Sequence, residues 1–161
     1  MPTGSMYLFL KLLHVFAVVL FLGNIIVGVF WKAIADKTRD PRVMAFAMDG
    51  IIRSDRFFTM PGVLLILIAG FGAAGVGKLP MIRTAWIFWS IVLFTISGIA
   101  FMGWLVPIQK KLRAVATAGA EDGSKMDWAA YGRLSAQWKM WGLVALITPL
   151  IALVLMVMKP V

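Results

Sequence analysis

The 161-residue sequence contains no cysteine, a single histidine and only seven acidic residues. The absence of cysteine excludes disulfides, iron–sulfur clusters, thiolate metal sites and cysteine nucleophiles within the chain. None of the acidic residues falls in the long apolar runs, so an ion-coupled transporter built on an intramembrane carboxylate has no candidate residue there. The single histidine, His14, is therefore the first residue to consider for ligand chemistry.

Long apolar runs dominate the chain. Hydrophobic residues make up 61% of it and the mean hydropathy is +0.92, which is far too apolar for a soluble domain. Four runs are long enough for a helix to cross roughly 30 Å of hydrocarbon, namely 7–31, 57–77, 84–108 and 140–158. We predict an all-α, multi-pass four-helix transmembrane bundle that forms one integral membrane domain, 1–161, in contact with the lipid bilayer.

The basic residues are concentrated between these runs. The net charge is +9, and segments 32–56 and 109–139 each contain six Lys or Arg residues. The positive-inside rule places both segments in the cytoplasm, with the N-terminus and the C-terminus outside. A nucleic-acid-binding protein would instead gather its basic residues on a soluble face, so we expect no nucleic-acid partner.

Both basic segments contain helix signals. Asp40 and Pro41 supply an N-cap and a first-turn proline, which predicts a short amphipathic helix after the first span. This helix either lies on the membrane surface or packs over the end of the bundle. In the second segment, residues 116–124 predict a break, after which a helix restarts near Met126 and runs into the fourth span.

A charged cluster, 53–56, immediately precedes the second span. A solvated surface, contacts with lipid headgroups and ion pairs with the other basic segment are the alternatives for this cluster. All three place Asp55 at the membrane interface.

Three side chains of the first span are candidate site residues. His14 lies roughly 10 Å into the membrane, where an ionisable group indicates either a ligand- or proton-handling role or a neutral hydrogen bond between helices. Lys11 is one turn earlier on the same face and is able to snorkel to the outer interface. Asn24 is the only amide deep in a span, and we expect it to hydrogen-bond between helices.

Two further patterns have ordinary explanations. Residues 70–75 match the letters of a dinucleotide-binding GxGxxG motif, but they lie inside an apolar span and favour close helix packing. The span methionines, together with His14, are the donor types that bind Cu(I). Their spacing lacks a histidine cluster, which favours ordinary lipid-facing or packing roles for the methionines. A copper site is the third functional alternative below.

Four stretches resemble a known family: 7–14, 21–24, 53–62 and 85–90. Together they are similar to the bacterial integral membrane proteins labelled domain of unknown function 2269, which have no established activity. The Lys11 and His14 spacing more distantly resembles HemJ-type protoporphyrinogen oxidases and CopD-type copper-resistance proteins. The HemJ resemblance implies a haem-linked role for His14, yet Ser90 stands where that family has a lysine.

These observations lead to three functional expectations for a multi-pass protein of the bacterial inner membrane. In the first, the protein binds haem b or another hydrophobic ligand near His14, with Lys11 and Asn24 nearby, as a redox or accessory component. In the second, it is a non-enzymatic assembly or lipid-interacting subunit that forms a homo-oligomer or binds a membrane partner. In the third, it handles copper through His14. The sequence does not decide whether the protein is an enzyme.

Overall fold

The computed structural model describes residues 3–160, so residues 1, 2 and 161 of the predicted domain lie outside the described residues. Every regular element in the described range is helical. The α-helices are α1 (Thr3–Thr38), α2 (Pro41–Ser54), α3 (Met60–Val76), α4 (Ala85–Ala100), α5 (Val106–Glu121) and α6 (Trp128–Met158). Two π-helical turns, Asp55–Thr59 and Phe101–Leu105, join α2 to α3 and α4 to α5.

The four predicted spans are confirmed as four helices that are long and apolar enough to cross a membrane. All four are longer than the predicted spans, and in the second and third a π-helical turn connects a basic segment to the span without a break. The second and third long helices therefore run from Pro41 to Val76 and from Ala85 to Glu121. The predicted amphipathic helix is present as α2, but it is the continuation of the second span rather than a separate surface helix.

Each π-helical turn ends shortly before a proline. The amide of Met60 donates to the carbonyl of Asp55, and the amide of Val106 donates to the carbonyl of Phe101. Pro61 and Pro107 follow directly, and a proline ring crowds the carbonyl four residues earlier. A widened turn relieves this crowding without ending the helix, so each helix continues past its proline.

The helices pack as two pairs within the apolar region and as a third pair at the basic end. Helix α1 packs along α3, α4 packs along α6, and α2 packs against α5. We call the end of the bundle formed by α2, α5 and the adjoining ends of α1 and α6 the basic end. The larger hydrophobic core lies there and includes Met44, Met48, Leu112 and Trp138.

Local capping and ion pairs fix the basic end. The Asp40 carboxylate accepts from the Arg42 amide at the start of α2, as the N-cap signal predicts. Asp49 of α2 pairs with Arg53 of the same helix at 2.7 Å and with Arg113 of α5 at 3.0 Å. An ion pair between the two basic segments is therefore present, but Asp49 and Arg113 form it, and neither belongs to the 53–56 cluster for which such a pair was one alternative.

The second basic segment breaks later than predicted. Helix α5 continues to Glu121, and a short 3₁₀ turn, Gly123–Lys125, precedes α6. Hydrogen bonds from the Ser124 hydroxyl and amide lower the pKa of the Asp122 carboxyl and hold this turn. Helix α6 runs from Trp128 to Met158, so the helix that restarts after the break continues into the fourth span, as predicted.

Candidate functional site

Lys32 lies near the end of α1 and is 1% exposed. Its ammonium group donates to the carboxylate of Asp36, one turn later, at 2.6 Å and to the hydroxyl of Ser135 at 2.8 Å. The same group lies 5.3 Å from the ring centre of Tyr131 and 5.2 Å from that of Trp138. A buried lysine held by a carboxylate, a hydroxyl and two aromatic faces is fully partnered.

Asp36 completes this group, which we call the Lys32 cluster (Lys32, Asp36, Tyr131 and Ser135). Its Oδ1 accepts from the Tyr131 hydroxyl at 2.7 Å, and its Oδ2 accepts from Ser135 at 3.1 Å as well as from Lys32. The cluster joins α1 to α6. Its lysine and carboxylate neutralise each other.

A cavity of about 380 Å³ opens beside the Lys32 cluster, and its walls come from the end of α1, the start of α2 and the first turns of α6. Arg39 and Lys139 lie on it, and neither forms an ion pair with any residue in 3–160. Trp128, which is 47% exposed, and Tyr131 add aromatic surface. Because Asp36 is neutralised by Lys32, the two free cations make this cavity positive.

A second polar group is buried between α1, α5 and the first π-helical turn. The Oδ1 atom of Asp55 accepts from Asn24 at 3.1 Å and from Thr59 at 2.8 Å, and its Oδ2 atom accepts from Gln109 at 3.0 Å. Asn24 also donates to the Thr59 hydroxyl at 2.9 Å. Asp55 is 8% exposed, so this Asp55 cluster (Asn24, Asp55, Thr59 and Gln109) holds a buried carboxylate with three neutral donors.

The burial of Asp55 was not among the predicted surroundings of the 53–56 cluster, which were solvent, lipid headgroups or ion pairs with the other basic segment. Buried positions recur at helical spacing along the continuous helix, at residues 44, 48, 51, 55, 59, 62, 66 and 69. Asp55 falls on this face, whereas its neighbours Arg53 and Arg56 lie on the exposed side. No acidic residue lies within a predicted span, but Asp55, two residues before the predicted second span, supplies a buried carboxylate.

His14 lies between α1 and α3 and is half-buried. Its Nδ1 atom is 2.9 Å from the carbonyl of Ile66, so the neutral ring carries its proton on Nδ1 in this contact. Gly70 leaves room for the ring, because a Cβ atom there would lie 2.9 Å from Nδ1 and Cε1. The Nε2 atom makes no hydrogen bond within residues 3–160. Lys11 is exposed on the surface of α1.

The structure also shows the partners of Asn24 and Ser90, the other two residues that the sequence singles out in the spans. Asn24 hydrogen-bonds across helices, as predicted, and its partners are Asp55 and Thr59. Ser90, at the position of the HemJ-type lysine, is buried and donates to the carbonyl of Trp86 at 2.7 Å. The described residues contain no group of three His, Cys, Asp or Glu side chains placed to hold a metal ion.

The comparison with protein families agrees with a membrane-spanning architecture. A family model described as a predicted integral membrane protein, DUF2269, matches residues 8–160. The chain belongs to the DUF2269 family. No curated protein and no solved structure matches this DUF2269 protein, so the resemblance to HemJ-type and CopD-type proteins stays a prediction.

The sequence interpretation missed the Lys32 cluster in this DUF2269 protein, although a signal was present. Asn24, Gly28, Lys32 and Asp36 are spaced by four residues, which places them along one side of α1. Lys32 and Asp36 were counted only as loop charges because the first span was predicted to end at residue 31. A helix that continues to Thr38 turns the same residues into an interior polar stripe.

Proposed function

We propose that this integral membrane protein binds the phosphate headgroup of an anionic lipid in the cavity at its basic end. The observation that carries the proposal is the pair of free cations, Arg39 and Lys139, on a cavity whose only acid is already neutralised. Basic pockets between helices at the cytoplasmic side of a membrane suit acidic headgroups. This role corresponds to a lipid-interacting subunit rather than an enzyme.

The surroundings of the cavity support a lipid rather than a soluble anion. Trp128 and Tyr131 contribute aromatic surface at the point where α6 approaches its apolar span, and aromatic rings of this kind prefer the membrane interface. A phosphate held by Arg39 and Lys139 leaves the lipid's acyl chains free to follow the apolar helices below. A volume of about 380 Å³ accommodates a headgroup.

Thermal unfolding of the protein in a mild neutral detergent tests this proposal. Phosphatidylglycerol, phosphatidylcholine and inorganic phosphate are added separately to the wild type and to two double variants. The cavity variant is Arg39→Asn with Lys139→Gln, in which asparagine suits the left-handed backbone of Arg39 (φ 50°). The control is Lys110→Gln with Lys111→Gln, which removes two exposed cations outside the cavity.

Phosphatidylglycerol is expected to raise the unfolding temperature of the wild type and of the control, and to have little effect on the cavity variant. Phosphatidylcholine is expected to act equally on all three. An equal effect of phosphatidylglycerol on both double variants would refute the site. An equivalent stabilisation by inorganic phosphate, lost in the cavity variant, would identify a soluble anion as the ligand.

His14 supports a second candidate function, ligation of haem b or of a copper ion. Its Nδ1–H group is held by the Ile66 carbonyl, an arrangement that leaves Nε2 as the coordinating nitrogen in many metal sites. With one histidine in the chain, a haem would have a single protein imidazole ligand. The ring edge at Nδ1 and Cε1 already contacts α3 at Gly70, so any such ligand has to approach from Nε2.

An absorption spectrum of protein purified from haem-replete cells tests this candidate. A stoichiometric Soret band that is lost in His14→Ala supports haem, and bound copper that is lost in the same variant supports copper handling. A flat spectrum without metal refutes both and leaves an assembly role. Cross-linking to itself or to a membrane partner then tests that role.

We also propose that the basic end faces the cytoplasm of a bacterial inner membrane. The native chain lacks cysteine, so single substitutions report topology directly. A membrane-impermeant maleimide is expected to label Arg83→Cys in intact spheroplasts and Ser124→Cys only after permeabilisation. The reverse pattern would overturn the orientation.

A further inference from the structure

Trp138 of α6 has an unusual environment. The residue is 5% exposed, and its indole Nε1–H is the one buried side-chain nitrogen or oxygen in residues 3–160 without a hydrogen-bond partner. Leaving such a donor unpaired in an apolar interior is costly. A group that accepts a hydrogen bond is therefore expected next to it.

The indole borders a small cavity of about 30 Å³ that also touches the Asp55 cluster. Asp55, Gln109 and Asn24 line its polar side, while the rest of the wall is apolar. Within the Asp55 carboxylate, Oδ1 accepts two hydrogen bonds and Oδ2 accepts one, from Gln109. Because a carboxylate oxygen has two acceptor sites, Oδ2 retains one.

We propose that this cavity is a binding site for water, in which one molecule accepts from Trp138 Nε1–H and donates to Asp55 Oδ2. A water molecule needs about 10–15 Å³ of volume measured in this way, together with two or more polar partners, so about 30 Å³ admits two or three. The cavity meets both requirements. This site is independent of lipid binding at the basic-end cavity.

The donor and acceptor pattern excludes charged ligands of similar size. A bare cation would face the positive end of the Trp138 N–H bond, and a small anion would face the Asp55 carboxylate. An ammonium ion donates to the carboxylate but has no lone pair for the indole. Water fits because it both accepts and donates.

The bound water would connect the two buried polar clusters. Trp138 carries the Lys32 ammonium group over its ring at 5.2 Å, and the same residue lines the cavity beside Asp55. A continuous set of polar contacts then runs across α1, α6 and the first π-helical turn, from Lys32 through Trp138 and the water to Asp55. The set extends from the basic end to Asn24, within the first span.

Solution NMR of the ¹⁵N-labelled full chain in micelles tests the proposal. The chain has seven tryptophans, so seven indole resonances are expected, and Trp138→Phe assigns the relevant one. If that variant fails to fold, single replacements of the other tryptophans assign it by elimination. We expect a cross-relaxation peak between the Trp138 indole N–H and a long-lived water molecule.

The absence of this peak in the wild type would overturn the proposal. Trp128, which is 47% exposed, provides the comparison for contact with bulk solvent. A peak that shows only the fast-exchange behaviour of Trp128 would likewise count against a bound water. A long-lived peak at Trp138 supports it.

Cavity-filling variants give a second, independent readout. Gly142 lines the cavity, and an added Cβ would lie 3.9 Å from Leu105, an ordinary contact. Gly142→Ala is expected to weaken or abolish the water peak, whereas Gly98→Ala, with no heavy atom within 4 Å of its Cβ position, is expected to leave it unchanged. An unchanged peak in both variants would refute the placement of the water.

Discussion

Replacement of Lys32 by methionine tests the energetic role of the Lys32 cluster. Methionine keeps the unbranched shape of the lysine stem but removes the ammonium group. Asp36 then loses its neutralising partner, although it keeps the Tyr131 and Ser135 hydroxyls as donors. The two ring faces that hold the ammonium group lose their cation–π contact as well.

The expected loss of unfolding free energy follows from the burial of both partners. Removing one member of a fully buried ion pair costs about 3–5 kcal/mol. The Lys32 side chain is 2% exposed and that of Asp36 is 19% exposed, and Asp36 retains two donors, so we expect about 2–3 kcal/mol in Lys32→Met. The matched control is Arg53→Met, whose ion pair with Asp49 has the same spacing but an arginine side chain that is 74% exposed. Its loss is expected to be about 0.5 kcal/mol or less.

Reversible unfolding in mixed micelles, followed by circular dichroism, measures both losses. A double-mutant cycle with Asp36→Asn separates the interaction between the two residues from the effect of each replacement, and we expect a clear positive coupling. If Lys32→Met destabilises the protein no more than Arg53→Met does, the reasoning from burial is wrong. A coupling near zero would show that Lys32 and Asp36 act independently.

The Asp55 cluster and the His14 contact yield two more expectations, measured in the same unfolding assay. Asn24→Leu removes two hydrogen bonds from the cluster and is expected to lower the free energy of unfolding by about 1–3 kcal/mol. The control Thr95→Val removes an exposed hydroxyl that bonds within its own helix, and its loss is expected to be far smaller. Gly70→Ala places a Cβ 2.9 Å from the His14 ring and is expected to lower the free energy of unfolding by about 1–3 kcal/mol. In the double variant with His14→Ala the ring is absent, so most of this loss should disappear. Simple additivity of the Gly70 and His14 effects would contradict the contact.

The four spans were predictable because hydropathy and length are properties of the sequence itself. An apolar run of about 20 residues has few stable alternatives to a membrane-spanning helix. The ends of the helices were less predictable. The predicted span 7–31 stops at Lys32, whereas α1 continues to Thr38 because Lys32 finds a carboxylate and a hydroxyl inside the bundle.

Asp55 shows why the interior polar groups were harder to find. In the sequence it stands between basic residues at the edge of a span, where charge normally indicates an interface. Its burial depends on Asn24 and Gln109, which are 31 and 54 residues away and belong to other helices. Asp55 lies at helical spacing from the buried residues Met48 and Ile51, which indicates that it is buried too. This spacing applies only because the π-helical turn continues α2.

An apolar layer lies between the two polar sites on the α1–α3 pair. Residues 15–23 of α1 and 60–70 of α3 contain no polar side chain, and Ala17, Phe21, Leu22 and Ile66 form a buried apolar cluster among them. His14 and Asn24 are ten residues apart, or about 15 Å along a helix. This apolar layer separates the Asp55 cluster from His14 along the α1–α3 pair, so polar side chains of these two helices do not join the two sites. Binding at the basic end and ligation at His14 are therefore separate hypotheses, and the failure of either leaves the other standing.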